Sequence, residues 1–382
     1  MRQRLLPALA ATAVLALATP ACGGDDDADP PAGAPAATSG TTTAEVAAGE
    51  PFPEDRCAAN RAAGTIRYLS GFDFAATASI IDVVVAEEAG YYDELCLDVE
   101  LVSSFSTANY PLVAGGEAHV ASGGSFSEVV DYALANDVDL VAVDVEGRSA
   151  IDSLIVKPGT AASLEDVRGA TIGVKGKLPP SVAAMLAGAG LIEGRDFETV
   201  LLDGFDPIAH YHLDGIIGFP GYKSNEPGQL ERAGLAYELF DPTEHGIPGS
   251  FGVLFTTRAW AEEHPGALQD FLRATMRGLA DALADPDAAT QTAVELVEAG
   301  GNPSFLSLEG ESFRWRTDTE LLRAQDASIP PGVPDLAALQ AELDAYAEVG
   351  LFGGEPPEAA RFVHDAPIAG VYDDSGAVIW PG

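Results

Sequence analysis

Positive charge is what this chain has least of. Its 382 residues carry 20 Lys and Arg against 59 Asp and Glu, for a formal net charge of −39 and a sequence pI near 4.1. Nucleic-acid binding needs a basic footprint, and this balance excludes it. Only four lysines occur, Lys157, Lys175, Lys177 and Lys223, so the middle of the chain is locally less acidic than its ends. Cysteine is scarcer still, at three. No Cys–His cluster has zinc spacing, and His210 and His212 stand two apart on an expected helix, where neighbours lie three or four apart. No metal site and no cofactor are expected. Lys175-Gly176-Lys177 lacks a Walker pattern, and no G-x-S-x-G elbow occurs, so neither nucleotide hydrolysis nor that form of serine catalysis is supported. After residue 22 no apolar run approaches the ~20 residues that span a bilayer.

What is present begins with an export signal. Arg2 and Arg4 precede an apolar run from Leu5 to Ala18, and Thr19-Pro20-Ala21 leads to Cys22. The pattern resembles a bacterial lipoprotein signal, which implies cleavage after residue 21, lipid on Cys22 and a membrane held through that anchor. Plain secretion is the alternative. Residues 23–49 are rich in Gly, Pro, Ala, Thr and Asp without periodicity, so 22–60 is expected to be a disordered tether. With Cys22 lipidated, Cys57 and Cys96 remain as an even pair. In an oxidising compartment that favours a disulfide over two free thiols.

Beyond the tether, short strand-like runs such as TIRYLS (65–70) and TIGVK (171–175) alternate with helical stretches. Alternation of this kind predicts an α/β fold with mainly parallel sheets. The pattern restarts after Pro158 and gives way to helices from Ala259. This divides the body into lobe 1, residues 61–157 and 251–382, and lobe 2, residues 158–250. The crossings between them are expected near Val156–Gly159 and Gly249–Val253.

The stretch Gly215–Gly234 carries the most chemistry. Ile216–Phe219 reads as a buried strand broken by Pro220-Gly221, and a helix follows, capped by Ser224 or Asn225. Ligands of open α/β sheets bind beyond the carboxyl ends of strands, where Tyr222, Asn225 and Glu226 fall. An aromatic face, an amide and a carboxylate together suit a flat, nitrogen-rich solute. In the bland alternative Glu226 only complements the helix dipole and Tyr222 only packs. A second candidate lies at Gly123-Gly124-Ser125, where amides at a helix start can hold a polar or anionic group, with Lys177 as its counter-charge; in the bland alternative Ser125 is only a helix cap and Lys177 a surface lysine in a turn.

Four blocks, AEEAGYYDELCLDVELV (86–102), LVAGGEAHVASGG (112–124), LIVKPGTAASLEDVRGATIGV (154–174) and YKSNEPGQLERAG (222–234), resemble the substrate-binding proteins of ABC importers. The resemblance is to the group named for its likeness to thiamine-pyrimidine synthases, which also holds sulfonate and nitrate types. It implies a two-lobe periplasmic-binding-protein-like fold (type II) with a helical C-terminal return, a monomer that closes on a small solute, and delivery to permease subunits. It also implies an aromatic sandwich. Tyr222 and Glu226 match one turn of it, and Phe72, Asp73 and Phe74 stand where relatives often carry tryptophan. The expected solute is an aromatic heterocycle of the thiamine-pyrimidine type. The alternatives are a sulfonate- or nitrate-type anion on Ser125 and Lys177, a riboflavin-like ring, or a pyrimidine-synthase-like enzyme. Three unclustered cysteines and the export signal count against the enzyme.

Overall fold

In chain order the strands are β1 (Thr65–Leu69), β2 (Asp98–Val102), β3 (Val120–Gly123), β4 (Leu140–Gly147), β5 (Asp152–Val156), β6 (Thr171–Val174), β7 (Glu198–Leu201), β8 (Gly218–Tyr222), β9 (Glu238–Phe240) and β10 (Phe251–Thr257). The helices are α1 (Glu54–Ala62), α2 (Ile81–Glu88), α3 (Tyr91–Glu94), α4 (Ser106–Ala114), α5 (Phe126–Asn136), α6 (Pro180–Gly188), α7 (Pro207–Tyr211), α8 (Glu226–Arg232), α9 (Arg258–Glu263), α10 (Pro265–Ala284), α11 (Pro286–Gly300), α12 (Leu308–Ala324), α13 (Leu336–Glu348) and α14 (Ala366–Ala369). These come from a computed structural model that describes residues 44–204, 206–300 and 307–382. The export signal, Cys22 and most of the tether lie outside the described residues.

Each lobe has one five-stranded sheet, ordered β2-β1-β3-β10-β4 in lobe 1 and β7-β6-β8-β5-β9 in lobe 2. Four of the five strands run one way in each, and a strand arriving from the other lobe inserts antiparallel: β10 between β3 and β4, and β5 between β8 and β9. Val-, Ile- and Ala-rich strands of this kind need cover on both faces. Two apolar clusters supply it in lobe 1. Ile66, Tyr68, Ile81 and Phe271 belong to one, and Leu69, Phe126, Val129 and Phe255 to the other. In lobe 2, Leu154, Ile172 and Val182 form one cluster and Ile155, Phe219 and Leu230 another.

The structure corrects several boundaries. Helix α1 forms within the stretch assigned to the tether, and Arg56 and Asn60 fasten it by bonding Asp270 Oδ2 (2.6 and 2.9 Å). Cys57 and Cys96 are joined by a disulfide. The first crossing lies between β4 and β5, earlier than Val156–Gly159, because β5 pairs with β8 and β9. It runs hard against the second: a Cβ on Gly249 would stand 2.6 Å from Ala150 Cα. Pro220-Gly221 does not end β8. The strand runs through to Tyr222, and at Pro220 it pairs with β5 alone, where Leu154 is the partner. Helix α12 was not anticipated. It packs on α8 of lobe 2, and α13 touches both α5 and α6, so the C-terminal segment braces both lobes instead of belonging to lobe 1.

Candidate ligand-binding crevice

Two strand-to-helix turns, one from each lobe, meet helix α12 at the site. In lobe 2, β8 ends at Tyr222 and α8 begins at Glu226. A Cβ on Gly221 would stand 2.9 Å from three carbons of the Glu226 side chain, so glycine lets that chain fold back over the strand end. There Glu226 accepts from Tyr222 N–H and from Lys175 Nζ, both at 2.8 Å, and is 4% exposed. The carboxylate closes its own turn. Asn225 does not cap α8. Its Oδ1 accepts from Arg314 Nη2 (2.7 Å) and from Gln229 Nε2 (2.9 Å).

Tyr222 keeps 41% of its surface exposed. Even so, burial, and after it the charges of Glu128 and Asp152, push its phenol well above the usual value. The ring is open to solvent, with Glu128 and Asp152 near enough for their charges to act on its hydroxyl. Asp152 stands at the start of β5. Burial, then the charges of Glu128 and Glu226, push its carboxyl up to about 7.

In lobe 1 the loop after β1 sends its two phenylalanines different ways, because Asp73 between them takes a left-handed φ of 48°. Asp73 is tied down: its N–H donates to Ser104 O (2.9 Å), and its Oδ1 accepts from Ser103 Oγ (2.6 Å). Phe74 is buried against Ile80, Val84 and Val297 and is a core residue. Phe72 is half-buried, edge-on to Phe105 with ring centroids 5.7 Å apart. The Arg314 guanidinium lies 5.4 Å above its ring.

The expected anion site at the start of α5 is already occupied by the protein's own groups. Ser125 Oγ accepts from Glu128 N–H (3.3 Å), Ser250 Oγ from Phe126 N–H (2.8 Å) and Glu342 Oε1 from Ser127 N–H (3.0 Å). Gly124 lies against Glu128, whose Oε2 would be 2.1 Å from a Cβ there. Lys177 stays 72% exposed, 3.8 Å from Asp131 Oδ2, so its charge is spent at the rim. The two sequence candidates therefore end differently: the Tyr222 ring is open to solvent, and the amides at the start of α5 are filled.

Helix α12 supplies what sequence reasoning missed. Glu311 accepts from Ala76 N–H (2.8 Å) and pairs with Arg314. Asp318 accepts from Ala78 N–H (3.0 Å), and burial pushes its carboxyl up to about 6. Arg314 thus touches Phe72 of one lobe and Asn225 of the other. The available signals were Ser307 as a cap and the spacing 311, 314, 318, which lies on one helix face.

The profile of the family described as NMT1/THI5 like matches residues 77–289, more than half of the chain. The chain belongs to that family. The riboflavin-binding protein RibY of Chloroflexus aurantiacus is 35% identical over 144 residues, 36% of this chain and 39% of that protein. The formylaminopyrimidine-binding protein of Halalkalibacterium halodurans is 29% identical over 240 residues, 60% of this chain and 70% of that protein. The aliphatic sulphonate binding protein SsuA of Escherichia coli shares the fold with a TM-score of 0.61 and 13% identity, over 79% of this chain and 92% of that one. The NMT1/THI5-like span includes all of lobe 2 and β10. It stops short of α12, so Glu311, Arg314 and Asp318 come from outside it, as do Phe72 and Asp73. No helix among the described residues is long and apolar enough to cross a membrane.

Proposed function

We propose that this NMT1/THI5-like protein is the extracytoplasmic solute-binding component of an ABC importer, exported by its signal and anchored through Cys22. The solute is a neutral or cationic flat heterocycle with an amino-substituted edge. Tyr222 and Phe72 offer it aromatic faces, and Asp152 and Glu128 accept its N–H groups, with Glu226 sharing oxygens already engaged by Lys175. The observation that carries this reading is the filling of the α5 amides by Ser250 and Glu342, beside a crevice ringed by carboxyl groups. An anion finds the Phe126, Ser127 and Glu128 N–H groups already taken, and an amino group finds carboxyl acceptors. Family membership and the names of the two relatives support a binding role. The riboflavin-like alternative uses the same stacking faces.

Calorimetric titration with a formylaminopyrimidine, riboflavin and an alkanesulfonate tests the reading. The expected result is binding of one of the two heterocycles and none of the sulfonate. Tyr222→Ala should weaken it by one to two powers of ten, about 1.4 kcal/mol for each. Asp152 titrates near 7, so affinity for a cationic ring should rise from pH 6 to pH 8 and become flat in Asp152→Asn. Sulfonate binding that is lost in Lys177→Ala, with no heterocycle bound, overturns the proposal. Turnover of a bound pyrimidine, seen by mass spectrometry, would replace the receptor with an enzyme.

A further inference from the structure

Away from the crevice, three acidic side chains share one pocket in the core of lobe 1. Asp82 lies in the first turn of α2, and Asp144 and Glu146 lie on β4. All three are 0% exposed, and one oxygen from each lies within 4.8 Å of the others. A bulge brings them together. Leu254 of β10 pairs with Asp144 and Phe255 pairs with Ala142, which leaves Val143 as the extra residue. The strand's alternation is reset there. Ala142 packs with the α5 side, whereas Asp144 turns toward α10 and α14, where it meets Met276 and Ile368 around Gly332.

Their bonding is incomplete. Asp82 and Glu146 bond each other, and Asp82 also takes the Val83 N–H. Ser79 N–H donates to Glu146 Oε1 at 2.6 Å. Among the described residues no donor reaches either oxygen of Asp144. The nearby Arg148 spends its Nη groups on the carbonyls of Asp326, Pro330 and Val333. Both Asp144 oxygens are thus fully buried without a donor, and one of them lies within 4.8 Å of an oxygen from each of the other two carboxyls. Buried charges are paired or coordinate metals, and an orphaned buried acceptor costs on the order of its whole desolvation penalty.

We infer that Asp82, Asp144 and Glu146 form a structural site for one divalent cation of the hard, oxygen-preferring class, bound as lobe 1 folds. Three carboxylates with no nitrogen or sulfur donor select Ca²⁺, Mg²⁺ or Mn²⁺ over zinc or copper. Their separations in sequence, from 82 to 144 to 146, carry no metal-ligand pattern, and only the bulged strand packed against α2 assembles them. The site also has a route to the crevice. Glu146 holds Ser79, whose Oγ bonds Ser122 Oγ (2.6 Å), and Ser122 O accepts from Asn109 Nδ2 (2.8 Å). The cation therefore fixes the base of the loop that presents Phe72.

The test uses the whole exported protein, dialysed exhaustively against metal-depleted buffer and analysed by inductively coupled plasma mass spectrometry. One Ca²⁺, Mg²⁺ or Mn²⁺ per chain is expected to remain. Excess EDTA should lower Tm by about 5 °C, and re-adding the same cation should restore it. Asp144→Asn should hold no cation and show no response to EDTA. Glu146→Gln serves the same purpose if Asp144→Asn does not fold. A metal-free protein whose Tm ignores both EDTA and added cations overturns the inference and leaves protons as the neutralising species. So does a folded variant that keeps its full cation content.

Discussion

The two strand-to-helix turns that wall the crevice reach the same end by different routes. In lobe 2 the carboxylate that satisfies the turn is local, with Glu226 bonding Tyr222 N–H four residues back. In lobe 1 it comes from afar, with Glu342 of α13 reaching Ser127 N–H across 215 residues. The local solution leaves an aromatic ring open beside it. The distant one seals the helix start and binds the C-terminal segment into the wall. A helix N-terminus attracts anions only while its N–H groups are free. Here an acid takes one N–H in each turn, that of Tyr222 in one and that of Ser127 in the other.

The comparison breaks most readily at Glu342. It is fully buried, so Glu342→Ala strands a helix N–H and should cost on the order of 3 kcal/mol in urea denaturation. Glu342→Gln, which keeps a carbonyl acceptor, should cost less. A loss under about 1 kcal/mol for the alanine variant would mean that the distant carboxylate is incidental.

Next in size is a pH effect. Burial holds the folded carboxyls of Asp318 and Asp152 at about 6 and about 7, above the ordinary aspartate value. Between these values the native chain holds more protons than the unfolded one. The stability that these two groups contribute is therefore greatest at the acid end and is lost as pH rises through 6 and 7. For Asp318, two units correspond to on the order of 3 kcal/mol at most. Tm should be higher at pH 5 than at pH 8, and Asp318→Asn should flatten that slope. A Tm that climbs over this range would contradict the burial of these groups.

Glu226→Gln sharpens the other half of the comparison. The amide oxygen can still accept from Tyr222 N–H, but the charge facing Lys175 is gone. A loss of about 1–2 kcal/mol is expected in the ligand-free protein. No change would return Glu226 to the role of a free ligand group. The smallest effect belongs to Lys177→Ala. That side chain is largely exposed and its ion pair is long, so its removal should shift stability by less than about 0.5 kcal/mol.

How much of this was legible follows from where each signal resides. The alternation of apolar runs and helical stretches is local, and it placed both sheets and the strand–turn–helix at Tyr222. Which sheet a strand joins is not local. Ser153–Lys157 reads as a strand in either lobe, and only its pairing with β8 and β9 assigns it. Helices α1 and α12 were missed for one shared reason. Their inward faces carry Arg56, Asn60, Glu311, Arg314 and Asp318, buried through hydrogen bonds and ion pairs, and in α12 these interrupt the apolar stripe that Trp315 and Leu322 would otherwise mark. The candidate site divides the same way. Tyr222, Asn225 and Glu226 fall in one loop, whereas Phe72 meets its partner Arg314 only in the folded chain.

The disulfide between Cys57 and Cys96 also has a mechanical consequence. It makes a covalent shortcut across 39 residues, from the middle of α1 to the entry of β2. A pull on the N-terminal side of the body, the direction in which an anchor would load it, can peel α1 only as far as Cys57. From there the force passes directly to Cys96 and enters β2. It bypasses β1, the Phe72 loop and α2, so the part of the wall that carries Phe72 lies in a stretch of chain that bears no tension.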